Sequence, residues 1–329
     1  MQIAAFGSAC SAWLGDNGAC VRIEILYKKM TGLLPLITVS LAALTSATSQ
    51  SGINGFTHVF AFGDSYTANH FVVSGAQPNA SNPIGNPAYP GSTTSGGPNW
   101  IDYLVAEYND SLALAYDFAI AGATGDSTIV PPYQSAVKSF VQQAALFDQY
   151  YGSGSSREGV WASEDSLFTS WFGINDILRG YSPANWSTVA PQIIEQYFDQ
   201  VQQVHDAGAR SFVVFLVPPI QRAPSQISNE TTANTTASLV NDFNDLLQAG
   251  LSEFESSNAD ATVWFLNTTT IFDAALDNPS AYGAANATCY NSDGTTCLWW
   301  NDLHPGLAIH KLVAEAVKNI TATRYSRMI

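Results

Sequence analysis

Charged residues are scarce in this chain, and most of those present are acidic. Lys, Arg, Asp and Glu make up 12% of the 329 residues, and 27 acidic side chains face 12 basic ones, for a formal net charge of −15. A surface of that sign repels phosphate backbones and anionic membranes. We therefore expect no nucleic-acid partner. Hydrophobic residues reach 46%, which is enough to fill one large core.

Cysteine is also rare, with four in the whole chain. Cys10 and Cys20 lie in the N-terminal segment, which leaves Cys289 and Cys297 close enough in sequence to form a disulfide in an oxidising compartment. Cys and His residues never cluster with the spacing of metal ligands. We therefore predict that the protein requires no metal and no cofactor.

Long hydrophobic runs are absent, and the N-terminal segment has the pattern of a secretory signal. Lys28 and Lys29 precede an apolar stretch at 33–44, and small residues follow at 45–49. Twelve such positions are too few to span a bilayer, which needs about 20. We predict a leader at residues 1–49, with Met30 as an alternative start, and a single domain at 50–329. The mature protein is expected to be extracellular, monomeric and free of the membrane.

Secretion is supported independently by glycosylation motifs. Eight Asn-x-Ser/Thr sequons occur in the chain, a density typical of a glycosylated eukaryotic exoprotein. They begin at Asn79, Asn109, Asn185, Asn229, Asn234, Asn267, Asn286 and Asn319.

Short apolar runs alternate with amphipathic stretches, which favours a parallel sheet covered on both faces. The predicted strands are 59–62, 113–120, 167–172, 212–217 and 263–266, and the predicted helices are 100–107, 135–150, 193–207, 237–254 and 310–320. The irregular stretch at 66–98 is too long for an ordinary connection, so we expect it to form one wall of a cleft. A second irregular stretch, 278–300, contains the predicted disulfide.

The most informative residues stand at the end of the first predicted strand. Gly63-Asp64-Ser65-Tyr66 follows the apolar run there, and the crevice of an open α/β sheet lies at that edge. A serine needs a base to become a nucleophile. His304 is the one histidine in a loop-like setting beside a carboxylate, Asp302. This pattern predicts ester hydrolysis by Ser65 and His304.

Two further strand ends offer donors for an oxyanion. Gly122 follows the second strand and lets a backbone N–H approach a ligand, and Asn175 follows the third with a side-chain amide. Asp64 and Asp176 are interpreted as structural. Ser127, in a second Gly-Asp-Ser, lies beyond the glycine turn and is a weaker nucleophile candidate. The motif Gly-x-Ser-x-Gly is absent, which argues against the α/β-hydrolase fold.

These blocks resemble those of the GDSL, or SGNH, hydrolase superfamily, in the same order. The resemblance implies a flavodoxin-like three-layer α/β/α sandwich with a five-stranded parallel sheet. It implies Ser65 as nucleophile, His304 as base, and an oxyanion hole built from the N–H groups of Ser65 and Gly122 and the Asn175 side chain. The motifs Pro98-Asn99-Trp100, Trp299-Trp300-Asn301 and His304-Pro305-Gly306 are most similar to fungal secreted acetylesterases of carbohydrate esterase family 16.

The sequence departs from the superfamily at the residue that orients the histidine. The usual pattern is Asp-x-x-His, but Asn301 stands at that position and the carboxylate is Asp302, two residues before His304. We favour Asp302 as the third catalytic residue, with Asn301 or a backbone carbonyl as the alternative. Trp299 and Trp300 either stack against a sugar ring or pack internally.

We therefore predict a serine esterase that releases acetate from acetylated plant cell-wall oligosaccharides, or from another small ester. A lipase or lysophospholipase acting on longer acyl chains is the first alternative. A sugar-binding relative without catalysis is the second. The preferred sugar and acetyl position are left open.

Overall fold

The computed structural model describes residues 52–180 and 185–323, which belong to one compact unit, Gln50–Ile329. The predicted leader at 1–49 and the alternative start at Met30 lie outside the described residues. Both stay predictions, as does the division into leader and single domain.

Five parallel strands form the central sheet, in the order β2-β1-β3-β4-β5. This order is flavodoxin-like, and the chain changes direction across the sheet beside β1. The predicted five-stranded parallel sheet is therefore confirmed. The strands are β1 (His58–Gly63), β2 (Leu114–Asp117), β3 (Ser166–Trp171), β4 (Ser211–Phe215) and β5 (Thr262–Leu266).

Helices cover both faces of the sheet. In the described ranges α1, α7 and α8 pack together on one face, while α2, α4 and α6 pack on the other, which confirms the three-layer α/β/α fold. None of these helices is long and apolar enough to cross a bilayer. The helices are α1 (Trp100–Ala106), α2 (Phe140–Tyr151), α3 (Ile174–Gly180), α4 (Trp186–Asp206), α5 (Pro224–Ile227), α6 (Glu230–Ser257), α7 (Thr268–Asp277) and α8 (Leu307–Thr321), with 3₁₀ turns at Ile220–Arg222 and Pro279–Tyr282.

Local side-chain contacts explain where the elements differ from the predicted bounds. β2 ends at Asp117 rather than at position 120, because the Asp117 carboxylate accepts a hydrogen bond from the Ala119 N–H (2.9 Å) and turns the chain. α2 begins at Phe140 rather than at position 135, because Ser139 and Gln142 form a capping box there. The helices α3, α5 and α7 are absent from the predicted set.

The long connection at 66–98 is fixed by buried polar contacts. The Asn69 N–H donates to the Asp117 carboxylate (2.8 Å) and its amide donates to Asp102 (3.3 Å). Burial raises the pKa of Asp102 to about 7 and that of Asp117 well above its usual value. Near its end, the Thr94 hydroxyl donates to the backbone oxygen of Ser65 (2.7 Å). The connection therefore lies against the turn that carries Ser65.

Candidate active site

Ser65 lies in a tight turn directly after β1. The N–H groups of Thr67 and Ala68 donate to the backbone oxygen of Asp64 (3.1 and 2.9 Å), and the Asp64 carboxylate accepts from the Tyr66 N–H (3.0 Å). The turn places Ser65 at the carboxyl edge of the sheet with 7% of its surface exposed. β1 lies between β2 and β3, so Ser65 emerges between the two strands that lead to Gly122 and Asn175.

His304 is held at the tip of a closed loop that precedes α8. The Trp300 N–H donates to the His304 backbone oxygen (2.8 Å), and the Gly306 N–H donates to the Leu298 oxygen (2.7 Å). The Tyr66 hydroxyl donates to the Leu303 backbone oxygen (2.6 Å) and ties this loop to the serine turn. This hydrogen bond positions His304 opposite Ser65.

The structure brings the two predicted catalytic groups into direct contact. His304 Nε2 lies 2.8 Å from Ser65 Oγ, across 239 positions of sequence. Burial lowers the pKa of His304 to about 4, although the negative charge of Asp302 raises it in part. The imidazole is therefore neutral at ordinary pH and can accept a proton.

Asn301 fixes which nitrogen of the imidazole carries the hydrogen. Asn301 Oδ1 accepts from the backbone N–H groups of Leu303 (2.9 Å) and His304 (2.7 Å), which orients the amide oxygen toward the loop. The same oxygen lies 3.0 Å from His304 Nδ1. Because an oxygen can only accept, Nδ1 carries the hydrogen and Nε2 presents its lone pair to Ser65.

The preference for Asp302 as the orienting residue is corrected by this geometry. The partner of His304 Nδ1 in the described chain is Asn301, while the Asp302 side chain is exposed. The Asp302 backbone oxygen accepts from the Ser225 N–H (2.8 Å), which turns the residue away toward α5.

Two of the three predicted oxyanion donors are unengaged. In the described part of the chain, neither the Ser65 N–H nor the Gly122 N–H has a hydrogen-bond acceptor. Gly122 has φ +85°, in the left-handed region, where a side chain would be strained. Both N–H groups are thus available to an oxyanion.

Asn175, the third donor, holds the two turns together. Its amide nitrogen donates to the Asp64 carboxylate (3.2 Å) and to the Ala123 backbone oxygen (3.0 Å). These residues adjoin Ser65 and Gly122 respectively. Asn175 is therefore at the expected place, but an oxyanion would have to replace one of its existing acceptors.

The neighbouring carboxyl groups are buried and serve these turns. The Gly125 N–H donates to Asp176 (2.9 Å), which fixes the loop after β2 to α3. Burial raises the pKa of Asp64 and of Asp176 to about 7 each, and the charge of Asp176 adds to the effect on Asp64. No group of three or more His, Cys, Asp or Glu side chains in the described ranges is arranged to hold a metal ion.

The two tryptophans differ in environment. Trp299 is fully buried, and its indole N–H donates to the Ala287 backbone oxygen (2.9 Å). The predicted sugar contact is therefore wrong for Trp299, which packs in the core. Trp300 is partly exposed, and its ring lies edge-on to His304 with centroids 6.1 Å apart. Only Trp300 is placed to meet a substrate.

The predicted disulfide is confirmed. Cys289 and Cys297 are bonded, with Cα atoms 5.5 Å apart. The segment that they close is joined to the histidine loop, because the Asn291 N–H donates to the Trp299 backbone oxygen (3.0 Å). The bond thereby supports the loop that carries His304.

The second Gly-Asp-Ser does not belong to this site. Ser127 Oγ accepts from the Gln142 amide (3.0 Å) at the start of α2. Sequence reasoning also missed Tyr66, whose hydroxyl joins the two catalytic loops. Its position directly after the serine was the available signal.

Comparison with known proteins agrees with this geometry. The model of the GDSL-like lipase/acylhydrolase family matches residues 59–317. The chain belongs to this family. An acetylesterase of Thermothelomyces thermophilus is 47% identical over 264 residues, which cover 79% of this chain and 86% of that protein. A thermolabile hemolysin of Vibrio parahaemolyticus is 23% identical and covers 66% of this chain and 53% of its own length.

Among solved structures, the aryl esterase of M. smegmatis is 12% identical, with a TM-score of 0.45, and the match covers 83% of this GDSL hydrolase and 100% of that chain. A carbohydrate acetylesterase of Sinorhizobium meliloti is 13% identical, with a TM-score of 0.43 and coverage of 83% and 99%. The family match and the acetylesterase relative together establish a carboxylic ester hydrolase. Both the predicted family and the predicted class of enzyme are confirmed.

Proposed function

We propose that this GDSL hydrolase is a secreted serine esterase that releases acetate from acetylated plant cell-wall oligosaccharides. The observation that carries the proposal is the contact between Ser65 Oγ and His304 Nε2 at 2.8 Å. The acetylesterase relative, 47% identical, supports acetate as the acyl product. The partly exposed Trp300 ring beside His304 gives a sugar a surface to stack on.

In the proposed mechanism His304 Nε2 takes the proton of Ser65 as Oγ attacks the acetyl carbonyl. The N–H groups of Ser65 and Gly122 hold the oxyanion, and Asn175 joins them once it releases an acceptor. The C–O bond to the sugar breaks, and the sugar oxygen takes the proton from Nε2. Water then attacks the acetyl-serine, gives a proton to Nε2 and releases acetate, and Nε2 returns the proton to Ser65.

Asn301 has a defined part in this cycle. It maintains the tautomer through Nδ1–H without adding a negative charge, unlike the aspartate of a usual triad. The imidazolium that forms during attack is thus stabilised by a neutral amide oxygen at 3.0 Å. The enzyme operates as a Ser–His pair oriented by Asn301.

A substrate series tests the proposal. Initial rates with p-nitrophenyl esters from acetyl to palmitoyl, together with acetate release from acetylated xylooligosaccharides, should show a steep decline after acetyl and turnover of the sugar esters. A long-chain optimum would instead identify a lipase. Oligosaccharide binding by an inert wild-type protein would identify a sugar-binding relative.

A pair of serine variants tests the mechanism. Ser65→Ala should lower kcat by at least about 10⁴-fold, while Ser127→Ala, the matched serine of the second Gly-Asp-Ser, should retain wild-type rates. Full activity of Ser65→Ala would contradict the scheme.

Localisation and partners belong to the same proposal. Eight sequons, the leader pattern and the Cys289–Cys297 disulfide support secretion and glycosylation, with a monomer acting on small ester substrates and binding no nucleic acid. Expression of the full chain in a fungal host should yield endoglycosidase-sensitive enzyme in the medium. Retention of unmodified protein in the cells would contradict it.

A further inference from the structure

Tyr133 lies directly against the glycine of the oxyanion hole. A Cβ atom built on Gly122 would lie 2.2 and 2.5 Å from the ring carbons Cε1 and Cδ1 of Tyr133, so the ring edge occupies the space beside the Gly122 Cα. The Tyr133 side chain nevertheless remains 50% exposed. It therefore belongs to the open surface next to the site and not to the core.

The Tyr133 ring is held by the helix that carries Asn175. Arg179, in the last turn of α3, places its guanidinium carbon 5.4 Å from the ring centroid, in range of a cation–π interaction. Asn175 lies in the first turn of the same helix. The ring thus contacts the glycine loop on one side and the helix of the third donor on the other.

The attack of Ser65 on an ester fixes how the substrate is oriented relative to Tyr133. The leaving oxygen must face His304 Nε2, which protonates it, and the carbonyl oxygen must face the N–H groups of Ser65 and Gly122. The acyl substituent then takes the remaining direction, away from the histidine. We propose that Tyr133 closes the acyl side of the site and restricts the substrate to a small acyl group. This inference rests on the proposed Ser65 mechanism and adds to it a residue that sets specificity.

The test compares acyl lengths on one leaving group. Values of kcat/KM for p-nitrophenyl acetate, butyrate and hexanoate are measured with wild type, Tyr133→Ala, Tyr133→Phe, Tyr133→Trp and Leu112→Ala. Leu112 is a matched control, because its exposure of 46% is close to that of Tyr133 but it precedes β2, at the opposite edge of the sheet. Tyr133→Ala should raise the hexanoate-to-acetate ratio at least about tenfold, since each methylene that a pocket accepts is worth about that factor or more.

The other variants separate the effect of the size of the Tyr133 side chain from a general effect of substitution. Tyr133→Phe and Leu112→Ala should keep the wild-type ratio, and Tyr133→Trp should lower it. An unchanged ratio in Tyr133→Ala, or an equal loss at every acyl length in a variant with wild-type Tm, would overturn the role of Tyr133. Failure of the proposed Ser65 mechanism would be detected separately, because Ser65→Ala would then remain active.

Discussion

Replacing Asn301 with Asp should raise the pKa of His304 and move the acid limb of activity to higher pH. The new carboxylate would keep the contact to Nδ1, now 3.0 Å, and the two backbone donors of Leu303 and His304. The wild-type imidazole has a pKa of about 4 because of burial. An adjacent negative charge stabilises the protonated ring, so the pKa must rise.

The size of the rise in the His304 pKa follows from the distance between the new carboxylate and the imidazole. Two unit charges about 4 Å apart in an effective dielectric constant near 20 interact by about 4 kcal/mol, which corresponds to about three pKa units. Solvent near this partly exposed loop reduces the value, so we expect a rise of about one to three units. The imidazolium is only partly formed in the transition state and gains part of this stabilisation, so kcat/KM on the neutral plateau should increase by about tenfold.

The assay is the pH dependence of kcat/KM with p-nitrophenyl acetate. Asn301→Asp should move the acid limb upward, and Asn301→Ala should lower the plateau by on the order of 10²-fold. Asp302→Asn is the control and should move the limb only slightly downward, because its exposed charge is screened. The reasoning is refuted if Asp302→Asn removes activity while Asn301→Asp leaves the limb in place.

Three further predictions follow from the same geometry. Wild-type kcat/KM should fall about tenfold per pH unit below about pH 4, because protonated His304 cannot accept the serine proton; a limb near the ordinary histidine pKa of 6.5 would contradict its burial. Gly122→Ala should lower both Tm and activity. Gly154 has a similar φ of +77° and open space around it, so Gly154→Ala should lose only about 1–2 kcal/mol of stability through backbone strain. Equal losses of stability in the two variants would argue against the contact at Gly122. Replacing both cysteines of the Cys289–Cys297 bond with Ser should lower the free energy of unfolding in urea by about 2–3 kcal/mol, as the chain-entropy model gives for so short a loop; an unchanged midpoint and slope would show that the loop is held by other contacts.

The convergence of the site was predictable from sequence because it depends on strand ends. Parallel strands place their carboxyl ends at one edge of the sheet, so residues that directly follow predicted strands, such as Ser65, Gly122 and Asn175, were expected at the same edge. The order of β2, β1 and β3 could not be read from the apolar runs themselves. It came from the family resemblance.

The orientation of His304 was not predictable, because it depends on a turn. Sequence spacing offered Asn301 and Asp302 as neighbours of the ring, and a carboxylate is the usual partner in a triad. The closed loop presents position 301 and exposes position 302. That choice depends on backbone hydrogen bonds within the loop, which side-chain chemistry alone does not reveal.

The burial of individual side chains was not predictable from the sequence either. Trp299 and Trp300 are identical and adjacent, yet only Trp300 reaches the surface. Tyr133 gave no signal at all, since it lies in an irregular segment and meets Gly122 only through tertiary packing. Such contacts between loops have no periodicity that a sequence could display.

Covalent labelling of the nucleophile tests the central claim most directly. A p-nitrophenyl phosphonate ester should inactivate the enzyme with release of one p-nitrophenol, and mass spectrometry should locate the phosphonyl group on Ser65. The label should be absent from Ser65→Ala and form far more slowly in His304→Ala. A label on Ser127 or any other residue, or inactivation of Ser65→Ala at the wild-type rate, would contradict the account.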